Sequence, residues 1–248
     1  ANDAILSDLG RIHTSKDFTI ACKLLGEVNK SADIMIGLKN QTVRDIFDAI
    51  DLAKEGGVSH ISMYALTPED GTPMYSDYLN GELPDADEVS EQYEQARKYL
   101  SSLGFERYEV SNFSKPGFES RHNLNYWRRG EYIGFGVSAS SFMCGRRFTN
   151  TSDLDDYIKC IMTNYYPVFD DEKIGEEDAR FEMVMLAFRT AEGLSLAKYK
   201  NAFGTDFPVD FFEPLKKNVR YLSCDNGRVR IKDEYLYVQN QILMDFLH

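Results

Sequence analysis

The chain contains few residues that could build a disulfide framework or a metal cluster. Its 248 residues include only four cysteines, Cys22, Cys144, Cys160 and Cys224, and no two of them form a C-x-x-C or ferredoxin-like spacing. In a chain of this size, such cysteines are typically reduced thiols in or near a core. A metal site built from these four residues alone is therefore not expected.

The sequence also has no long apolar run and no excess of basic residues. No segment approaches the ~18–20 consecutive apolar residues that span a bilayer, and the N-terminal region is too charged for the core of a signal peptide. Forty acidic residues against 28 basic ones give a formal net charge of −12, which argues against nucleic acid as a partner. We therefore expect a soluble, cytoplasmic protein that binds no nucleic acid and meets a membrane only through a partner.

Helix and strand patterns alternate in the first two thirds of the chain. Short apolar runs predict strands over residues 32–37, 58–66 and 105–113. Capping residues followed by helical periodicity predict helices that begin at Asn2, at Thr14 or Ser15, at Thr42 and at Asp85 or Asp87. Strands that alternate with helices of this length indicate βαβ crossovers and a parallel sheet, open or barrel-like.

The pattern changes near residue 164. We predict a first α/β domain over residues 1–163, a polar linker over 164–174 and a C-terminal domain over 175–248. The last domain combines three predicted helices, a hairpin that turns at Asn226-Gly227 and a closing helix, which is a small winged-helix-like arrangement. Such modules often bind DNA, but these helices are acidic, so a packing role is favoured.

Mapping the charge reveals a basic segment between Lys115 and Arg147. Six basic residues and two acidic ones give this segment a charge of +4, so the remaining chain carries −16. A basic segment in an acidic protein is a candidate site for an anionic ligand. The alternative is a solvated face whose arginines pair with local carboxylates.

The same segment contains SRHNLNYW at residues 120–127, with the chain's single tryptophan. A neutral imidazole such as that of His122 can ligate iron, aromatic rings can stack on a flat macrocycle, and arginine can bind carboxylates bidentately. A carboxylated tetrapyrrole would use all three properties. The alternative for His122 is a structural histidine that is satisfied by hydrogen bonds.

A second candidate site involves Asp33, which lies inside an otherwise apolar predicted strand. A buried carboxylate needs a partner, and Met35 shares its face of the strand. Arg11, after the first helix, is placed to bring a guanidinium near the same strand end, where ligand groups cluster in β/α barrels. A structural ion pair between Arg11 and Asp33 is the competing interpretation.

Several segments together resemble the radical S-adenosylmethionine (SAM) family of oxygen-independent coproporphyrinogen III oxidases, and most closely its heme-chaperone branch. The most specific element is H-N-x-x-Y-W, which starts at His122 and is typical of the chaperone branch. The other matching segments are LGRIHT (9–14), ADIMIGLKNQT (32–42), HISMYALTPEDGTPMY (60–75), GELP (81–84), RYEVSNFSKPGFES (107–120) and YIGFGVSAS (132–140). The resemblance covers essentially the whole chain.

This resemblance implies an α/β fold made of the C-terminal half of a radical-SAM partial (β/α)6 TIM-like barrel, followed by the family's small, mostly helical C-terminal domain. The family holds a [4Fe–4S] cluster through a C-x-x-x-C-x-x-C motif that this sequence does not contain. We therefore expect a fragment without its own cluster or radical chemistry. Its first strand, near Asp33, is expected to offer an unpaired edge for self-association.

The resemblance also assigns site residues. Arg11, Asp33 and Met35 match family positions that meet the carboxylate, the ribose and the adenine of SAM. The proposed heme-binding element matches His122, Asn123, Tyr126 and Trp127. Within it, His122 is the expected ligand of the heme iron, and Arg121, Arg128 or Arg129 are the expected partners of the heme propionates.

Two departures from the family pattern affect these expectations. The usual G-L-P-G-Q-T turn is GLKNQT at residues 37–42, and a histidine of the chaperone branch is replaced by Ser140. The leading hypothesis is a heme chaperone that hands heme to a respiratory protein. The alternative is an oxygen-independent oxidase that decarboxylates coproporphyrinogen III in heme biosynthesis, and a third is a plain interaction module.

Overall fold

The structure is a computed structural model that describes residues 1–247 as two compact units. The first unit comprises Ala1–Ser120 and the second starts at Arg121. This division does not coincide with the boundary expected near residue 163, because residues 121–163 group with the C-terminal part. The predicted ranges 1–163, 164–174 and 175–248 stay predictions, and residue 248 lies outside the described part of the chain.

The first unit begins with two helices and continues with an α/β arrangement. Its helices are α1 (Asp3–Asp8), α2 (Ser15–Leu25), α3 (Val43–Glu55), α4 (Pro73–Leu79) and α5 (Ala86–Ser102). Its strands are β1 (Ser31–Ile36), β2 (His60–Ala65), β3 (Glu106–Arg107) and β4 (Asn112–Ser114). The predicted helix starts are confirmed, because Thr14, Thr42 and Asp85 each close a capping box.

The strands form one sheet in the order β1-β2-β4-β3, in which only the β1–β2 pair is parallel. The prediction of one continuous strand over residues 105–113 is wrong, because the chain reverses there and β4 runs antiparallel to both β2 and β3. The reversal is closed by the backbone N–H of Tyr108, which donates to the carbonyl of Asn112 at 3.2 Å. The fold class is α/β, as predicted, and no closed barrel is present among residues 1–247.

One face of this sheet carries the core of the unit. Alternate residues of β1 point inward, and they pack with apolar side chains of α3, α5 and the neighbouring strands, including Ile34, Ile36, Ile50, Leu100 and Phe113. The other face of β1 and β2 carries Asp33 and His60, so it is polar. Ile12 lies outside this core, because α1 ends at Asp8 and leaves Ile12 fully exposed.

The second unit contains two antiparallel sheets and most of the remaining helices. Its strands are β5 (Ser140–Met143), β6 (Arg146–Asn150), β7 (Val168–Lys173), β8 (Leu194–Ser195), β9 (Leu222–Asp225) and β10 (Arg228–Ile231). Its helices are α6 (Arg121–Trp127), α7 (Leu154–Met162), α8 (Glu176–Ala187), α9 (Leu196–Phe203), α10 (Phe207–Asp210), α11 (Phe212–Asn218) and α12 (Gln239–Met244), with a 3-10 helix at Asp233–Val238. None of the helices in residues 1–247 has the length and apolar character needed to cross a membrane.

The sheet β5-β6-β7 was not anticipated from the sequence. Residues 164–174 were predicted to be a linker, yet Val168–Lys173 forms β7 and pairs with β6. An exposed ion pair also connects the two strands, since Arg146 of β6 lies 2.9 Å from Asp171 of β7.

The C-terminal residues build the expected winged-helix-like module. The β9–β10 hairpin turns at Asn226-Gly227, where both residues have positive φ values of 50° and 71°, as predicted. β8 completes a three-stranded sheet against β10. A cluster of buried aromatic rings forms its core, namely Phe188, Tyr199, Phe207, Phe211 and Phe246.

Candidate functional site

A cavity of about 410 Å³ in the first unit brings together three of the predicted site residues. Arg11, Asp33 and Met35 all line it, with Gln41 and Tyr64. The volume lies within the ~300–1,000 Å³ that is typical of small-molecule sites. Apolar side chains of α1 provide part of the wall, so the cavity combines an apolar surface with the guanidinium of Arg11 and the carboxylates of Asp33 and Asp45.

The pleat of β1 explains why Asp33 and Met35 face the same side, because successive strand residues alternate between the two faces. β2 adds Tyr64 directly opposite Met35, so Tyr64 lies on the same face of the sheet as Asp33. Burial and the negative charge of Asp33 together raise the pKa of Tyr64. Asp33 is exposed on β1 and lines the cavity, so its carboxylate is accessible to a ligand.

Two glutamines that the sequence analysis missed hold the loop after β1. The side-chain amide of Gln41 donates to the carbonyl of Met35 at 2.9 Å, and its oxygen accepts from the N–H of Leu38 at 3.3 Å. The oxygen of Gln92, a buried residue of α5, accepts from the N–H of Gly37 at 3.0 Å. These bonds fix the backbone next to Met35. Gln41 lies within a family-like segment, whereas no local signal identifies Gln92.

Gly37 is the residue that makes this loop possible. It has a φ of 76°, and a Cβ atom there would lie 3.1 Å from a methyl carbon of Val89. Glycine accepts this backbone conformation without strain and leaves room for α5 to approach. The turn therefore needs glycine at position 37 even though residues 39 and 40 depart from the family pattern.

The polar face of the sheet also carries a hydrogen-bonded chain that the sequence did not predict. The hydroxyl of Ser31 lies 2.8 Å from Nδ1 of His60, and Nε2 of His60 lies 2.7 Å from the hydroxyl of Tyr108. Burial lowers the pKa of His60, and the negative charge of Asp33 opposes this effect. Both ring nitrogens of His60 are thus occupied, which identifies it as a structural histidine.

Glu109 is a completely buried carboxyl in the reversal between β3 and β4. Its hydrogen-bond donors are the side-chain amide of Asn112 and the N–H of Ser111. Burial raises the pKa of Glu109, because these hydrogen bonds and the positive charge of Arg107 offset the loss of solvation only in part. The stabilising contribution of Glu109 is therefore complete below the ordinary pKa of glutamate and is lost as the pH rises through the higher folded-state value.

Glu109→Gln is accordingly expected to increase the free energy of unfolding near pH 7, because glutamine cannot ionise. Urea unfolding at about pH 7 and about pH 4 should show a gain at the higher pH and little change at the lower one. Glu106→Gln, which alters an exposed neighbour on β3, is the control. A loss of stability for Glu109→Gln that is equal at both pH values would contradict the assignment.

The second unit places His122 on the short helix α6. Its ring meets the ring of Tyr126 edge-on, with centroids 4.7 Å apart, and Tyr126 meets Tyr132 in the same way at 4.6 Å. Tyr126 follows His122 by four positions, which places the two side chains on one face of the helix. His122 is exposed, so an exposed imidazole stands at the end of a row of aromatic rings. This arrangement fits an open-faced heme site.

The other predicted heme residues are distributed differently. Arg121 is exposed at the start of α6, and Asn123 is half-buried. Trp127 lines a separate small cavity of about 40 Å³ with Arg128 and other residues of the second unit. That volume is too small for a tetrapyrrole, so a heme contact of Trp127 stays a prediction that this cavity does not support.

Most arginines of the basic segment are already paired with carboxylates. Arg128 lies 3.2 Å from Glu192, while Arg129 and Arg147 both bind Glu182, at 2.8 and 2.6 Å. Burial alone would raise the pKa of Glu182, but the guanidinium groups of Arg147 and Arg129 lower it below its ordinary value. Of the three arginines expected to meet heme propionates, Arg121 is the one without an ion pair in the described part of the chain.

The residues present do not fit an iron–sulfur cluster. Within residues 1–247, no group of three or more His, Cys, Asp or Glu side chains could hold a metal ion. The four cysteines are all free thiols, and only Cys22 is buried.

Known proteins resemble this chain along its whole length. The HemN C-terminal domain family matches residues 174–240. Heme chaperone HemW of Lactococcus lactis is 30% identical over 99% of the chain and 66% of its own length, and heme chaperone HemW of Bacillus subtilis is 30% identical over 96% and 63%. The chain thus spans about two thirds of the length of these relatives.

A solved structure shows the same fold. The chain superimposes on coproporphyrinogen III oxidase (HemN) from Escherichia coli, described as a radical SAM enzyme, with a TM-score of 0.77. The superposition covers 99% of this chain and 62% of the oxidase, and the two sequences are 14% identical. The fold is therefore that of a radical SAM protein of the coproporphyrinogen oxidase type. The chain belongs to the HemN and HemW family, in its HemW-like branch.

Proposed function

We propose that this protein is a heme chaperone, which binds heme at His122 and SAM in the cavity of the first unit. The observation that carries the proposal is the similarity of nearly the whole chain to two proteins named heme chaperone HemW. The oxidase of the family is 14% identical, so the chaperone function is favoured over coproporphyrinogen oxidation. The exposed imidazole of His122, at the end of a row of aromatic rings, supports the choice of this residue as the heme ligand.

The chain's own residues would divide the binding of the two ligands. The guanidinium of Arg11 and the carboxylate of Asp33 complement an amino-acid carboxylate and ribose hydroxyls, and the backbone beside Met35 would border the adenine. In the second unit, His122 would ligate the heme iron while Tyr126 packs against the imidazole ring of His122. Arg121, exposed and unpaired among the described residues, would meet a propionate.

Three finer parts complete the proposal. The heme would be passed to a respiratory protein, the protein would act in the cytoplasm, and β1 would support self-association. The last part is supported by the position of β1 at the edge of its sheet, where β2 is its one partner strand among residues 1–247. An unpaired strand edge is a template for pairing with another chain.

Titration of the purified chain with hemin tests the heme site. Wild-type protein should change the Soret absorbance of hemin, and His122→Ala should weaken binding by at least about tenfold, which corresponds to ~1.4 kcal/mol. His13→Ala, which removes an exposed imidazole from the first unit, is the control. Equal affinities for wild-type protein and His122→Ala would refute the site.

A further inference from the structure

The helix α7 presents an apolar face that nothing in the described chain covers. No residue of this nine-residue helix is buried. Leu154, Ile158, Ile161 and Met162 are 60%, 45%, 51% and 79% exposed. Their spacing of four, three and one residues places them on one side of a helix. Globular proteins seldom leave such a stripe in water unless it serves an interaction.

The chain after α7 extends this surface. Tyr165 and Tyr166 are 73% and 91% exposed, and the turn that carries them is anchored by a hydrogen bond from the N–H of Tyr165 to the carbonyl of Cys160 at 2.9 Å. The helix itself is attached through Tyr157, whose hydroxyl accepts from the N–H of Gly136 at 3.0 Å. The apolar side chains of α7 therefore do not hold the helix in place, and they are available to a partner.

The charge around this face restricts what can cover it. Residues 153–172 contain six acidic side chains and one basic one, a net charge of −5. Asp155 and Asp156 lie on α7 itself, and both are exposed. A second copy of the chain would bring the same acidic residues to a symmetric interface, where like charges repel. An anionic lipid surface would be repelled for the same reason.

From these observations we propose that α7 is a docking site for a protein segment that combines apolar side chains with lysine or arginine, such as a basic amphipathic helix. The apolar side chains of the segment pack on Ile158 and Met162, and its basic residues meet Asp155, which the helical spacing places beside Met162 at the edge of the face. In such a contact, apolar anchors give affinity and the charged residues at the edge of the face select the partner. The proposal does not depend on heme or SAM binding.

Fluorescence anisotropy with two synthetic helical peptides tests this surface in the full chain. The peptides share the same leucine positions, and their polar faces carry lysine in one and glutamate in the other. The lysine peptide should bind at least about tenfold more tightly. Ile158→Ser with Met162→Ser should weaken its binding by a further factor of about ten or more, since two apolar anchors are lost. Circular dichroism should show that this double variant is folded, because neither residue is buried.

A closely matched control exists on α2. Ile20 and Leu24 are also four residues apart, and they are 44% and 83% exposed, but α2 carries two lysines and one aspartate. Ile20→Ser with Leu24→Ser should leave binding of the lysine peptide unchanged. An equal loss for both double variants would show nonspecific adhesion and overturn the proposal.

Two further measurements address the other occupants. Light scattering should detect no dimer that is lost in the double variant Ile158→Ser with Met162→Ser. Vesicles of phosphatidylglycerol should not bind this face, so they should not sediment the protein through it. A dimer that this double variant abolishes, sedimentation of the protein by these vesicles through this face, or equal binding of the two peptides would refute a basic protein segment as the partner.

Discussion

Asp210→Ala should destabilise the second unit by about 3 kcal/mol, the cost of breaking a buried ion pair. Asp210 binds the guanidinium of Arg180, and it also accepts from the hydroxyls of Tyr199 at 2.8 Å and of Thr205 at 2.5 Å. The side chains of Arg180 and Asp210 are only 15% and 19% exposed. The substitution would leave three donors without their shared acceptor in a poorly solvated position.

The surroundings of this cluster explain why water cannot replace the carboxylate easily. Arg180 packs over the ring of Phe203 at 4.9 Å, and Tyr199 is completely buried. Burial and the hydrogen bond to Asp210 raise the pKa of Tyr199 to about 12. The tyrosine therefore stays a neutral donor across the physiological pH range, and its hydroxyl requires an acceptor.

Thermal unfolding followed by circular dichroism would measure the loss, and ~3 kcal/mol corresponds to a decrease of roughly 6–12 °C in Tm. Asp210→Asn should fall between wild type and Asp210→Ala, since it keeps one acceptor oxygen. Asp206→Ala removes an exposed ion pair with Lys200 and should change stability by less than about 1 kcal/mol. If Asp210→Ala and Asp206→Ala lose similar amounts of stability, the ion pair of Arg180 and Asp210 contributes no more than an exposed ion pair does.

Local sequence signals predicted most of the elements. The starts of α2, α3 and α5 follow from capping boxes, in which each side chain bonds to a residue three positions away. The Asn226-Gly227 hairpin is equally local, because both residues adopt positive φ. Such features depend only on neighbours in the chain, so a single sequence contains the information.

Strand direction and sheet membership could not be read in the same way. Residues 105–113 have the composition of a strand, but the chain reverses in this segment and buries Glu109. β7 is exposed at every position, and its pairing depends on charged partners in β6. Long-range pairing decides both cases, and no apolar periodicity reports it.

The two candidate sites show the same contrast. The resemblance of short motifs identified Arg11, Asp33 and Met35, and the structure places all three on one cavity. Gln92, which fixes the loop after β1, is 55 residues from Gly37 in sequence, and a glutamine inside a helix is unremarkable by composition. The ion pairs of Arg128 and Arg129 likewise involve residues more than 50 positions away.

Arg11→Ala and Asp33→Asn should each weaken the binding of S-adenosylhomocysteine by roughly 10- to 100-fold, because a hydrogen bond to a charged group contributes ~1.5–3 kcal/mol. Isothermal titration calorimetry on the purified chain would measure these affinities. Asp33→Asn keeps the size and shape of the side chain, so the cavity wall should retain its shape. Arg44→Ala removes an arginine that is 76% exposed on α3, and it should bind like wild type.

Adenosine separates the two roles, because it has the ribose but no amino-acid carboxylate. If Arg11 binds the carboxylate, Arg11→Ala should leave adenosine affinity unchanged, whereas Asp33→Asn should weaken adenosine and S-adenosylhomocysteine by the same factor. The ratio of the two affinities therefore reports on Arg11 alone, and it is insensitive to a general loss of folding. If Arg11→Ala weakens the binding of both ligands equally, then Arg11 maintains the structure of the cavity through an ion pair with Asp33. Arg11 would then have no part in ligand recognition.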